Sequence, residues 1–333
     1  MDTTLLRQLY KINSKSGLED DMQDFIMSYI EQRDGLPNVP KCTMDMDAKG
    51  NLLVVSGEAE TYPCLCAHMD EVHAPVFDKE VIEHLDFMFC FSAIQMSVVG
   101  CGADDKNGIF IALKALDVLP AVKLLFTVEE EWGANGAYKV DIKKWLKDVR
   151  YVIQCDRRGS GDFITNITGT KLASKEFKKD AGRILEGYGF RETTGMLTDV
   201  MVLKEEGLAV SCCNLSCGYY SPHTDKEVTY LPHLENTFHA VMEICLTLTK
   251  VYSHNHVRRV YPTGAGRVVT YDKFGYPIYH NSGTKHAPLN PDSNVCRDCL
   301  KLNCDNCGFS VPISPKGFDT TSSQYRDQYD LYD

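Results

Sequence analysis

Apolar positions along the first 250 residues follow two periods. In "SGLEDDMQDFIMSYIEQR" (16–33), Phe25, Ile26, Tyr29 and Ile30 share one helical face, and Ser16 with Glu19 has capping-box spacing, which predicts an amphipathic helix. The runs "KCTMDMD", "NLLVVSG" and "YPCLCAH" read as strands, with "DAKGN" turning the first two into a hairpin. Then "GIFIALKALDVL" reads as helix, "KLLFTVEEE" as strand, "DIKKWLKD" as a short helix and "RYVIQCD" as strand. Further on, "KLASKEFKKDAGRILEGYGF" and "TDVMVLKEEG" read as helices, "LAVSCCNLS" as strand and "LPHLENTFHAVMEICLTLTK" as a closing helix. Such alternation predicts an α/β fold, a mostly parallel mixed sheet with helices on both faces.

The strand ends carry the chemistry. "CLCAHMD" ends in His68 and Asp70, "LLFTVEEEWG" in Glu129, Glu130 and Glu131, and "YVIQCDRR" in Asp156, while Asp104 and Asp105 sit in the Gly-rich turn "VVGCGADDKNG". Side chains beyond the carboxyl ends of parallel strands converge on one crevice. So many acids in one place repel one another and raise their pKa values unless cations hold them. Histidine with carboxylates suits zinc, with manganese or cobalt as alternatives.

Composition narrows the classes of function. The chain has 333 residues, 44% of them hydrophobic, and a formal net charge of −11, which argues against nucleic acid or an anionic membrane as partner. No apolar run approaches the roughly 18 residues of a membrane span, and "MDTTLLRQLYKINSKSG" lacks the order of a signal peptide. A cytoplasmic protein is expected, its 14 cysteines reduced. The chain changes character near residue 253, so a catalytic domain is expected over 1–252 and a C-terminal extension, ending in "SSQYRDQYDLYD", over 253–333. Within the extension Cys296, Cys299, Cys304 and Cys307 form two Cys-x-x-Cys knuckles, which leaves two readings open: a structural zinc or free thiols. "SHNHVRR" (253–259) is read as a coincidence of histidines, not a nuclease motif, and His73, His84, His233 and His239 as structural or exposed.

Five motifs in order carry a resemblance: His-x-Asp in "CAHMDEV", "GCGADDKNG", the glutamate pair in "TVEEEWGANGA", Asp156 in "IQCDRRG" and His223 in "YYSPHTDKE". Together they resemble the co-catalytic di-zinc exopeptidases, a superfamily that includes peptidase T and the zinc aminopeptidases. The resemblance implies a phosphorylase/hydrolase-like α/β/α sandwich and two divalent metal ions, with His68 and Asp156 on one, Glu131 and His223 on the other, and Asp104 bridging. It implies that Asp70 orients His68, that Glu130 is the general base acting on a water between the metals, and that the Asp104–Asp105 peptide is cis. Aligning "TVEEEWG" by Gly133 gives this assignment, and a shift by one would promote Glu129.

Residues 157–222 and 69–103 are too few for the lid or inserted domain of relatives, so no lid domain is expected. Arg157 or Arg158 is a candidate to hold a substrate carboxylate, or both lie in a solvated turn; Tyr219 and Tyr220 are candidates to line the pocket or donate to an oxyanion, or belong to the core. Asp199 is read as a brace of the site or, more commonly, a helix N-cap. The resemblance implies an aminopeptidase acting on short peptides, with no nucleic-acid or membrane partner and with a homo-oligomer compatible. The alternatives are a deacylase of N-acyl amino acids, a tripeptidase-like enzyme, and a non-catalytic interaction protein that works through its tail.

Overall fold

Runs such as "LLVVS" and "YPCLCAH" are apolar on both sides of the pleat, which demands cover on both faces. The computed structural model describes residues 1–255, 267–271 and 277–281, and it supplies that cover. The chain forms two compact units, Met1–Arg259 and Val260–Asp333. In the second, β15 (Arg267–Tyr271) pairs antiparallel with β16 (Pro277–Asn281). The knuckles Cys296, Cys299, Cys304 and Cys307 lie outside the described residues.

The first unit is built on a mixed sheet. Its central strands are parallel: β7 (Val122–Thr127), β3 (Tyr62–His68), β8 (Val149–Arg157) and β12 (Cys212–Ser216). On one side the predicted hairpin, β1 (Cys42–Met46) and β2 (Leu52–Ser56), adds antiparallel to β7. On the other, β9 (Asp162–Ile167) pairs antiparallel with β12 and carries β10 (Thr170–Lys171) and β11 (Arg191–Gly195). Alternate residues serve separate cores. Leu65, Ala67, Leu124 and Phe126 face α1 (Thr4–Lys11), α2 (Asp20–Asp34), α3 (Ala103–Ala115), α5 (Lys175–Gly187) and α7 (Leu231–Thr247). Cys64, Cys66 and Leu125 face α4 (Ile142–Trp145) and α6 (Asp199–Glu205).

A second sheet occupies the segment between His68 and Asp104. Here β4 (Lys79–His84), β5 (Phe87–Ser92) and β6 (Ser97–Val99) form a meander, completed by β14 (Val228–Tyr230) and β13 (Tyr219–Tyr220). His84 ends β4 and is exposed, as the sequence reading allows. Two sequence readings are corrected. The strand "KLLFTVEEE" stops at Thr127, leaving the glutamates on a loop. Helix α2 begins at Asp20, and Ser16 Oγ makes no cap, because it donates to Asp70 Oδ2 at 2.7 Å. Among the described residues no helix is long and apolar enough to cross a membrane.

Candidate metal centre

The sheet delivers its polar residues where the alternating pattern places them. His68 is the last residue of β3, Asp156 lies near the end of β8, and Glu130 and Glu131 follow β7. Asp104 and Asp105 stand at the start of α3 with non-helical dihedrals and a cis peptide bond between them. His223 comes from the loop joining β13 to β14. Glu129, Ala134, Ser221 and His223 have φ of +52°, +57°, +52° and +62°, uncommon for residues with a Cβ. They fall on the loops that present Glu130, Glu131 and His223, and strain of this kind gathers at functional sites.

All five proposed ligands meet. Asp104 Oδ1 is 3.2 Å from His68 Nε2, which is 3.7 Å from Asp156 Oδ1, and Asp104 Oδ2 is 3.3 Å from His223 Nε2. One carboxylate thus faces two separate donor groups, one oxygen to each. Glu131 Oε1 lies 2.8 Å from His223 Nε2, yet it is buried and makes no hydrogen bond among the described residues. Two such atoms at close range without mutual alignment aim at a common point, as ligands do. Donor atoms of His68, Asp104 and Glu131 lie within 4.8 Å of one another, and so do those of His68, Asp105 and Asp156. The donor set and the orphaned oxygen fit a pair of divalent cations.

Burial and mutual repulsion set the charges of these groups. Burial and the nearby Asp104 push Asp156 up to about 7, despite His68. Burial, then neighbouring Asp156, Asp199 and Glu131, raises Glu130 well above the carboxylate range. Burial also acts against Asp104 ionising, but contacts from His223 and His68 outweigh it and hold this carboxyl far down. His223, between Asp104 and Glu131, is pushed up to about 10. A metal would replace these shared protons.

The supporting contacts are dense. His68 Nδ1 lies 3.0 Å from the Asp70 carbonyl and 3.4 Å from its carboxylate, so the main chain holds the imidazole more closely than the side chain does. The Asp70 carboxylate accepts from the amides of Glu130 (2.9 Å) and Glu131 (3.1 Å) as well as from Ser16. Asp156 accepts from Thr198 Oγ1 (2.7 Å), Gln154 Nε2 (3.3 Å) and Tyr219 Oη (3.4 Å). Asp199 is no N-cap: its Oδ2 accepts from Thr127 Oγ1 (2.7 Å) and Gln154 Nε2 (3.1 Å), while its Oδ1 is buried without a partner among the described residues. Asp105 accepts the His68 and Gly108 amides, and a Cβ on Gly108 would come within 2.4 Å of it.

Sequence reasoning missed Glu227. Buried, it accepts from the amides of Gly102 (2.6 Å) and Asp104 (3.1 Å) and lies 3.1 Å from His73 Nε2, fixing the turn that presents Asp104. Its signal was its place in "SPHTDKE", four positions after His223. Other candidates are engaged elsewhere. Glu129 pairs with Lys49, Arg157 with Asp162 at 3.0 Å, and Tyr220 Oη with His233 Nδ1 at 2.6 Å, while Arg158 is exposed.

The first unit shares its fold with solved peptidase structures. Among solved structures the chain is similar to aminopeptidase PepT from Bacillus cereus, at 15% identity and a TM-score of 0.59, covering 72% of this chain and 97% of that one. A tripeptidase from Staphylococcus aureus matches at 15% identity and a TM-score of 0.57 over 72% of this chain and 96% of its own. An aminopeptidase from the archaeon Desulfurococcus kamchatkensis matches at 16% and 0.57 over 72% and 93%. No protein-family model and no curated protein sequence matches the chain.

Proposed function

We propose that the protein is a metal-dependent aminopeptidase acting on short peptides, with His68, Asp156, Asp104, Glu131 and His223 holding two divalent cations, zinc by preference. The observation that carries this reading is the Asp104 carboxylate, whose two oxygens face different donor groups, with His68 on one side and His223 on the other. Such a pair of cations polarises the scissile carbonyl and lowers the pKa of the attacking water. The solved structures named above, two aminopeptidases and a tripeptidase, support the same class.

The protein's own part is positioning and proton transfer. Glu130 is a carboxylate beside the cations that is not needed as a ligand, so it takes the proton of the attacking water and returns it to the leaving amine. Asp70, through the two amides it binds, sets Glu130 and Glu131 at a fixed spacing. Tyr219 and Thr198 hold Asp156 by its two oxygens. The acidic surroundings favour a substrate that enters by a cationic amino terminus, and Arg157 is already committed to Asp162.

The test is a panel of peptides and aminoacyl anilides, each free and N-acetylated, assayed with and without a chelator. Free-amine substrates are expected to be cleaved and chelation to stop cleavage; preference for the N-acyl series would make the protein a deacylase instead. Glu130→Gln is expected to lower kcat by about 10²–10⁴-fold while metal content is unchanged.

A further inference from the structure

The second sheet carries a surface that catalysis does not use. Its inner face is buried: Met88 and Cys90 are fully covered and Val99 is 3% exposed. An antiparallel sheet with one face on the core normally turns polar residues outward. Here the outer face presents Phe87, Phe89 and Phe91 along β5, flanked by Ile82 on β4 and Val98 on β6, with Ile82 opposite Phe89 and Val98 opposite Phe91. Phe87 is 42% and Val98 41% exposed, and the turns at the sheet's ends expose Leu85 (80%) and Ile94 (83%). Phe89, Phe91 and Ile82 pack against neither hydrophobic core of the described residues. A contiguous apolar face of this kind marks an interface.

Its charges point to the occupant. On the same face of β4, Glu80 lies opposite Phe91 at one end and His84 opposite Phe87 at the other, with Ile82 midway. Neither Glu80 nor His84 has a hydrogen-bond or ion-pair partner among the described residues. Consider a two-fold axis between two such faces, crossing the strands at the Ile82–Phe89 pair. It sets Phe89 against its own copy, Phe87 against the second copy's Phe91, and Glu80 against the second copy's His84. The face is self-complementary in its apolar ridge and at its polar ends, where a Glu80 carboxylate meets an imidazole N–H of His84, which is what a two-fold interface requires.

We propose that two copies of this chain associate through the outer face of β4, β5 and β6, with Glu80 of each meeting His84 of the other. Sedimentation equilibrium of the full chain tests it. A species of twice 37.4 kDa is expected, and Phe89→Asp, which lies outside the metal centre, is expected to shift it to the monomer with peptide hydrolysis retained. Because Phe89→Asp could disturb the sheet, the exposed pair gives a second handle. His84→Glu alone sets glutamate against glutamate and is expected to weaken the dimer by about tenfold or more, whereas Glu80→His with His84→Glu exchanges the pair and restores it. A 37.4 kDa monomer at every concentration, or a dimer that neither Phe89→Asp nor His84→Glu weakens, overturns the proposal.

Discussion

Asp70 accepts from two loop amides and the Ser16 hydroxyl at once, so Asp70→Asn sets an amide N–H against an N–H or forces a flip that loses one of these bonds. Contacts behind metal ligands are typically worth 10–100-fold in affinity or activity, and a loss of that size in kcat is expected, with the fold intact by circular dichroism. An unchanged kcat would mean that the spacing of Glu130 and Glu131 is set elsewhere. At this scale the sequence was legible where a residue's role is tied to a motif: His68, Asp104, Glu131, Asp156 and His223 all converge. It was not legible for Ser16 and Glu227, whose partners lie 54 and 125 positions away. Nothing local distinguishes such a serine from a helix cap.

Elements were readable in proportion to how cleanly their faces divide. The parallel strands announce themselves because both faces are apolar, and α5 because its apolar side is one stripe, Phe177, Ala181, Ile184 and Leu185. Helix α1 has only eight residues, and its N-cap residue Thr3 makes no side-chain cap; Asp2 instead accepts from the Thr4 amide at 3.0 Å. Yet Leu5, Leu6, Leu9 and Tyr10 are all buried, and Tyr10 Oη reaches Asn107 of α3 at 2.6 Å. Leu9→Ala is expected to cost about 2–5 kcal/mol in urea unfolding; a loss under about 1 kcal/mol would show that α1 is held by little more than its ends. The meander β4–β5–β6 escaped notice for a different reason. "FMFCFS" is apolar on both sides, so the alternation that marks a half-exposed strand is missing.

For the molecule as a whole, the acidic centre links stability to pH and metal. Asp156 and Asp199 have pKa values raised from 3.8 to about 7 and about 6, chiefly by burial. The folded metal-free protein therefore keeps protons that the unfolded chain has already lost. By linkage this contribution to stability is full below about pH 4 and declines as pH rises toward 7. Metal binding needs Asp156, the ligand of the two, ionised, so its affinity grows across that window. The gap in Tm between metal-loaded and chelator-treated protein is expected to widen from pH 5 to pH 8. A gap that narrows would place the metal on other groups.

The most direct measurement is a calorimetric titration of the metal-free chain with Zn²⁺, done with Cys296, Cys299, Cys304 and Cys307 changed to Ser so that only the carboxylate–histidine centre binds. Two ions per chain are expected, falling to one in Glu131→Ala and to weak, incomplete binding in Asp104→Ala, which removes the shared ligand. Binding of two ions that is indifferent to Asp104, or no binding at all, would contradict the account.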